Sequence, residues 1–382
     1  MKPVRVTLVA KLVLLVLLAL AATEIPAATY CAGTVAQLQS AIASINQSEY
    51  EDFDLRIRSG YYTLAPVAGQ QHALRISRWF RPAAGQTGQL RISGGWNAGC
   101  TQQATNMSAA NSTVLDGQGQ TGILEVRPNV FGYIDFPLHQ TLRIDSLLFY
   151  RGASPSGFPG GLYFNQNSVP AGGTETEFTL VVERVRFDDC HDALYLGRHY
   201  GALVRNSVFV GNTGAYGSAM NIVATEGSAW VYNNTFRYNH STDPSFASIV
   251  YLQGTATRYF HNNIVADSVL PPSASHEIYL SNGTTFLRNN RIASPIRLGG
   301  TAAAVPNGNT TANPGFKNAF DVRLGDASPL RDFGLAVTPG YSIGNVDFDG
   351  SPRLQGAFPE PGAFELAPLP ALPAAVFGNG FE

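Results

Sequence analysis

Residues 204–209 read VRNSVF, residues 231–236 VYNNTF, residues 260–265 FHNNIV and residues 287–292 LRNNRI. Two earlier stretches, IDSLLF at 144–149 and VERVRF at 182–187, keep the same apolar first and last positions. In four of the six the third position is asparagine: Asn206, Asn233, Asn262 and Asn289. The closing positions 149, 187, 209, 236, 265 and 292 are separated by 38, 22, 27, 29 and 27 residues. Recurrence at such periods marks a repeat architecture. Intervals of 22–29 suit one turn of a three-stranded coil, and the interval of 38 leaves room for a loop insertion.

A second strand recurs between these motifs, as Leu162-Tyr163-Phe164, Leu194-Tyr195-Leu196, Met220-Asn221-Ile222, Val250-Tyr251-Leu252 and Ile278-Tyr279-Leu280. Alternating apolar positions give each strand one buried face. Two independent strand registers thus agree on one repeat. Leucine-rich repeats have similar lengths but need their own leucine signature. Here the spacers, such as 211–218, are rich in Gly, Asn, Thr and Ser without helical periodicity. An antiparallel sandwich does not require equivalent strands at this spacing. The expected fold is all-β, a right-handed parallel β-helix.

In a parallel stack each coil lies about 4.8 Å above the last, so equivalent side chains form columns. Asn206, Asn233, Asn262 and Asn289 are expected to make a structural ladder of amides bonded along the column. Asparagine also tolerates the left-handed backbone of a tight corner. Asn212 and Asn239 recur three residues past the motif in two coils.

An open end of such a coil recruits other chains unless covered. Val35, Leu38, Ile42 and Ile45 follow Thr34 at helical spacing, which predicts a short N-terminal capping helix over 34–46. Residues 54–57, 90–92, 113–115 and 123–126 then read as early, irregular rungs. Past Arg297 the repeat fades, giving a β-helix over 29–366 with an irregular closing segment that includes a short element at 321–324. Residues 367–382 read as an Ala/Pro-rich linker and a tail with no membrane-spanning length.

The opening stretch has a different character. Lys2, Arg5 and Lys11 precede an apolar run over 12–22 and then small residues up to Ala28. That is the layout of a signal peptide over residues 1–28, with an apolar core too short for a transmembrane segment. Export is expected, to the extracellular space or the outer cell surface. Without those residues the 25 basic and 27 acidic side chains become 22 and 26, and Lys317 is the one lysine left. With no basic block, nucleic acid and anionic membrane surfaces are excluded as partners. In an oxidising compartment Cys31 and Cys100 pair as a disulfide and leave Cys190 single; otherwise all three are small buried hydrophobes. Nothing in the sequence fixes the oligomeric state.

Several passages carry a resemblance. Ser93-Gly94-Gly95-Trp96 leads to Cys100 and then to Val114-Leu115-Asp116-Gly117. Near the end come Asn313-Pro314-Gly315-Phe316, Ser328-Pro329-Leu330-Arg331-Asp332, Asp347-Phe348-Asp349-Gly350-Ser351-Pro352-Arg353 and Gly362-Ala363-Phe364-Glu365. Together with the Asn-Asn motifs they resemble bacterial pectin-lyase-like β-helix proteins, in particular the exported group with variable C-terminal anchors (choice-of-anchor Q). Glu360-Pro361 departs from that pattern, where an acid followed by an aliphatic residue is usual. The final Phe377-Gly378-Asn379-Gly380-Phe381-Glu382 resembles a short sorting tail. The resemblance implies a location and a fold; it implies no activity, because this fold hosts lyases, hydrolases and adhesins.

Three groups of residues are candidates for chemistry. Asp188-Asp189-Cys190-His191-Asp192 is the densest ionisable group. Asp188 and Asp189, with His191, would share acid and base work in glycoside hydrolysis. Alignment with the other rungs instead makes them a solvated corner with Cys190 in an asparagine column. Tyr163, Tyr195, Tyr251 and Tyr279 fall in one outward column interrupted by Asn221, and would bind carbohydrate by stacking on sugar rings. The same column would arise as a structural aromatic ladder. Asp347, Asp349 and Gly350 resemble a calcium turn, but the loop lacks its distal glutamate, and Arg353 favours an ion-paired turn. No cofactor or metal is expected, calcium being unsupported. A polysaccharide or cell-surface glycan is the expected partner, bound without catalysis. The alternative is a polysaccharide lyase or glycoside hydrolase acting on acidic polysaccharide, for which no convergent acid and base set is legible.

Overall fold

The structure is a computed structural model that describes residues 27–367 apart from 49–51, 78–87, 129–138, 167–176, 225–226, 244–247 and 273–275. The expected signal peptide therefore lies almost wholly outside the described residues, as do the linker and tail beyond residue 367. The chain winds into a parallel β-helix. Among the described residues, one sheet of ten strands and two of eight run along its length, each strand parallel to its neighbours. One coil places Gly201–Arg205 in the first sheet, Val208–Val210 in the second and Met220–Val223 in the third. The next coil stacks above it without slip, pairing Val204 with Val231, Phe209 with Phe236 and Asn221 with Tyr251.

Each six-residue motif is thus two strand ends joined at a corner. Its first two residues end a strand of the first sheet, and its last lies in the second sheet facing the core. Phe149, Phe187, Phe209 and Phe236 form an interior stack with ring centroids 5.0, 4.9 and 4.7 Å apart. The third residue turns the chain: Asn206, Asn233, Asn262 and Asn289 have φ of 50°, 54°, 56° and 50°. That left-handed conformation costs most side chains about 1–2 kcal/mol, and asparagine bears it best after glycine.

The amide ladder is one residue further on than expected. The Nδ2 of Asn234 donates to Asn263 at 3.0 Å, Asn263 to Asn290 at 3.2 Å and Asn290 to Asn309 at 2.9 Å. The same side-chain oxygens of Asn263, Asn290 and Asn309 accept the main-chain N–H of Asn234, Asn263 and Asn290, and Asn234 Oδ1 accepts that of Ser207. A second ladder joins Asn212 to Asn239 at 2.9 Å, and below it Cys190 donates its N–H to Asn212. Asn212, Asn234, Asn239, Asn263 and Asn290 are completely buried. The corner asparagines make a single bond along their own column, Asn262 to Asn233 at 3.4 Å. The left-handed turn points the third side chain away from the coil and the fourth into it.

What the corner asparagines hold is the closing segment, which folds back along the outside of the coil. Asn206 donates to the carbonyls of Ile343 and Val346, Asn233 to Glu360, Asn262 to Leu335 and Asn289 to Phe333. Below the segment, Val208 packs against Phe348 and Phe364, and Ile264 against Leu324, Leu330 and Leu366. The outer face of the second sheet is thereby buried from Val208 through Thr235 to Ile264. Residues 321–324 make no strand; Leu324 forms one antiparallel bridge to Phe316.

At the N-terminal end Val35–Gln47 is the expected helix, and Thr34 caps it by accepting the N–H of Gln37. Leu38, Ala41, Ile42 and Ile45 are buried against the first rungs. The Cys31–Cys100 disulfide closes a separation of 69 residues beside them, and Cys190 is free and buried. The repeat outlasts Arg297, through Ile296–Gly299 and Ala303–Asn307, where Pro306 blunts the last edge. No helix among the described residues is long and apolar enough to cross a membrane.

The ladder predicts a specific loss. Asn263→Ala strands the N–H of Asn234 and the carbonyl of Val231, both inside the coil. Chemical denaturation should show stability falling by about 2–4 kcal/mol; a change below about 0.5 kcal/mol, the range of inert surface substitutions, would show that the ladder is ornamental.

Candidate functional site

The outer face of the third sheet carries a column that the period-2 alternation of its strands makes continuous. Tyr163 pairs with Tyr195, Tyr195 with Asn221, Asn221 with Tyr251 and Tyr251 with Tyr279. Glu125 continues it on one side and Arg297 on the other. Tyr163 stacks on Tyr195 with centroids 5.2 Å apart, and Tyr251 on Tyr279 at 4.8 Å. Between the two pairs stands Asn221, a rung without a ring.

The four tyrosines are not equally available. Phe158 meets Tyr163 edge-on and the Arg127 guanidinium lies 5.4 Å from its centroid, which leaves Tyr163 6% exposed. Arg297 lies over Tyr279, which is 8% exposed. Tyr195 and Tyr251 remain half-buried. The expectation of four outward tyrosines therefore reduces to two accessible ones, backed by two that are covered.

Those two border a cleft of about 450 Å³, with Asp192, Tyr216, Asn221 and Gln253 completing most of its lining. Gly157 and Pro159 add to the wall from the insertion that lengthens the interval between Phe149 and Phe187. The Pro159 carbonyl lies 2.7 Å from Nε2 of buried His72, which ties that wall to the coil. Gly197 keeps the ring of Tyr195 lying along its own strand, since a Cβ there would come within 2.6 Å of it. Gln253 donates to Oδ1 of Asn221 at 2.9 Å. Asn221 Nδ2 and Gln253 Oε1 keep no protein partner among the described residues.

Asp192 is the one carboxyl among the lining residues of the cleft. It sits at a left-handed corner (φ 47°), two residues before the strand that carries Tyr195. Burial pushes its carboxyl up to about 7, and the main-chain N–H groups of Ala215 and Tyr216 pull it only partly back. Its Oδ1 is buried without closing a hydrogen bond, and its Oδ2 lies 3.4 Å from Nδ1 of His191. Burial also raises the phenols of Tyr195 and Tyr251, so both stay protonated donors at neutral pH.

The acids singled out in the sequence lie elsewhere. Asp188 ends a strand of the second sheet and pairs with Arg186 at 2.6 Å. Asp189 is exposed at the next corner with φ 55°, its carboxyl raised by burial and by the neighbouring Asp188. Neither lines the cleft. His191 touches it through Asp192. Cys190 occupies the asparagine column under Asn212, and burial pushes its thiol up to about 12, so it is packing and not a nucleophile. Asp347 uses its two oxygens on the N–H groups of Ser351 and Glu365, Asp349 pairs with Arg323, and Arg353 with Glu365. That is an ion-paired turn. Sequence reasoning passed over Asp192 and Gln253. The alternation that found Tyr251 places Gln253 on the same face, and Asp192 was the member of the acid group nearest the tyrosine strand.

No family model, curated protein sequence or solved structure matches the chain.

Asp192 has a consequence for stability. Its folded-state value lies above the ordinary carboxylate range, so its favourable contribution is full below pH ~4 and lost as pH rises through about 7. His199 and His261 act in the opposite sense. Burial lowers both to about 4, so their contribution is full above pH ~6.5 and lost as pH falls through about 4. Between pH 5 and 7 the contribution of Asp192 opposes those of His199 and His261. Asp192→Asn should leave the histidine trend alone, making Tm rise more steeply with pH; an unchanged slope would contradict a buried, proton-holding Asp192.

Proposed function

We propose that this protein is an exported, surface-associated β-helix that binds polysaccharide or other glycan material in the cleft of its third sheet, without catalysis of its own. The observation that carries this reading is the pair of accessible tyrosines two rungs apart, in a cleft whose polar groups are few. Ligand sites have that composition: apolar and aromatic walls, with a small number of polar groups to orient the ligand. A tyrosine face accepts the C–H surface of a sugar ring while its hydroxyl reaches a sugar oxygen.

The chemistry absent from the lining points the same way. Hydrolysis of a glycosidic bond ordinarily takes two carboxyl groups flanking it, and Asp192 is the one carboxylate among the lining residues. Eliminating a uronate takes a cation to hold its carboxylate and a base, and no arginine or lysine is among those residues. Export is supported by the Cys31–Cys100 disulfide and by the basic and apolar opening of the sequence. Surface association rests on the resemblance of its closing motifs to those of the choice-of-anchor Q group.

One observation favours the enzymatic alternative. A carboxyl in a cleft with a value near neutrality is what a general acid needs. The two readings separate in one experiment. The mature protein is incubated with insoluble polysaccharides, scoring retention, release of reducing ends and formation of unsaturated product. Binding predicts retention with no product, and at least tenfold weaker retention for a folded Tyr195→Ala/Tyr251→Ala variant. Product formation that Asp192→Asn abolishes would replace the binding reading with the enzymatic one.

A further inference from the structure

The tyrosine column is a regular object with one fault in it. Parallel rungs lie about 4.8 Å apart, so Tyr195 and Tyr251 are separated by about two such steps with Asn221 between them. Wherever adjacent rungs both carry tyrosine, their rings pack face to face at 4.8–5.2 Å. The rung at Asn221 therefore leaves a slot one ring thick. Its walls are two aromatic faces whose far sides are already stacked, on Tyr163 and on Tyr279. Those covered partners hold the walls in place, so the slot is formed before any ligand arrives.

We propose, resting on the glycan-binding reading above, that this slot takes a single neutral pyranose ring in place of the missing aromatic, sandwiched between Tyr195 and Tyr251. The floor fits that occupant. Asn221 is held by Gln253 through its Oδ1, which leaves Asn221 Nδ2 as a donor and Gln253 Oε1 as an acceptor for sugar hydroxyls. Asp192 borders the same cleft with its side chain 16% exposed, and its carboxyl is a further group for a sugar hydroxyl to bond. A uronate fits poorly: its carboxylate would enter beside Asp192, with no arginine or lysine among the lining residues to balance it.

Asn221→Tyr tests the slot by completing the column. Calorimetric titrations use β-1,4-linked hexasaccharides of glucose, xylose and mannose, with an oligogalacturonate of the same length as the acidic probe. The wild type should bind at least one neutral hexasaccharide and bind it more tightly than the oligogalacturonate. Asn221→Tyr should weaken that binding at least tenfold while keeping or raising Tm. Asn221→Ala, which empties the floor without closing the slot, should cost only a few-fold. Should Asn221→Tyr fail to fold, Asn221→His fills the same space with a smaller ring and carries the same expectation. Wild-type affinity in the filled variant would overturn the slot. The broader reading would survive that result if Tyr195→Ala still weakened binding. Preference for the oligogalacturonate would overturn the choice of a neutral sugar, and failure of the wild type to bind any probe would overturn both readings.

Discussion

The register of the coil depends on buried amides bonded to their own kind. Asn234, Asn263, Asn290 and Asn309 each sit where the rung above or below offers the same group at hydrogen-bond distance. Each oxygen also satisfies a main-chain N–H of the preceding rung. A slip by one residue would bury those amides without partners, at a cost of about 1–3 kcal/mol for each unsatisfied group. Apolar alternation opposes the same slip, which would turn Phe187, Phe209 and Phe236 out of the core. The ladder adds fixed polar partners at each corner to that apolar register, and the columns are what every other feature uses.

Two faces of the coil use them differently. At the first corner the third-position asparagines, forced outward by their left-handed backbone, present a column of amides to the carbonyls of the closing segment. Main chain alone recognises this column, so the segment needs no repeat of its own to follow it. On the third sheet the column is aromatic, and a repeat that is otherwise scaffold becomes a site where one member is missing. Asn221 disrupts the stack yet remains 9% exposed, floored by Gln253 and flanked by Asp192 from the corner before. Irregularity in a solenoid is the natural place to look for function, because the regular positions are spoken for by packing.

The coil was legible because its signals are periodic. Apolar positions at both ends of the motif, the second strand between motifs and the helix over 34–46 all follow from alternation or helical spacing. The place of Cys190 follows from the same alignment of rungs, whereas the Cys31–Cys100 bridge follows from the oxidising compartment expected of an exported chain. Assignment within the Asn-Asn pairs failed for a local reason. Residues 262 and 263 are both asparagine, and the sequence does not say which one takes positive φ. Among the four asparagine-bearing motifs Asn206-Ser207 held the answer, since there the corner residue stays asparagine while its neighbour does not. Asp192 was missed because the main-chain groups it meets, those of Ala215 and Tyr216, lie a full coil later in the chain. The path of the closing segment was illegible for the same reason, being set by carbonyls that carry no side-chain signature.

The account stands or falls on whether a sugar ring enters the gap at Asn221. A ring held between two aromatic faces has its C–H protons shifted upfield by both ring currents, so proton NMR of a bound neutral hexasaccharide reads the geometry directly. The account predicts large upfield shifts confined to the C–H protons of one pyranose unit, with cross-relaxation to the ring protons of both Tyr195 and Tyr251. Binding with small, evenly distributed shifts, or with contacts to one tyrosine alone, would contradict it.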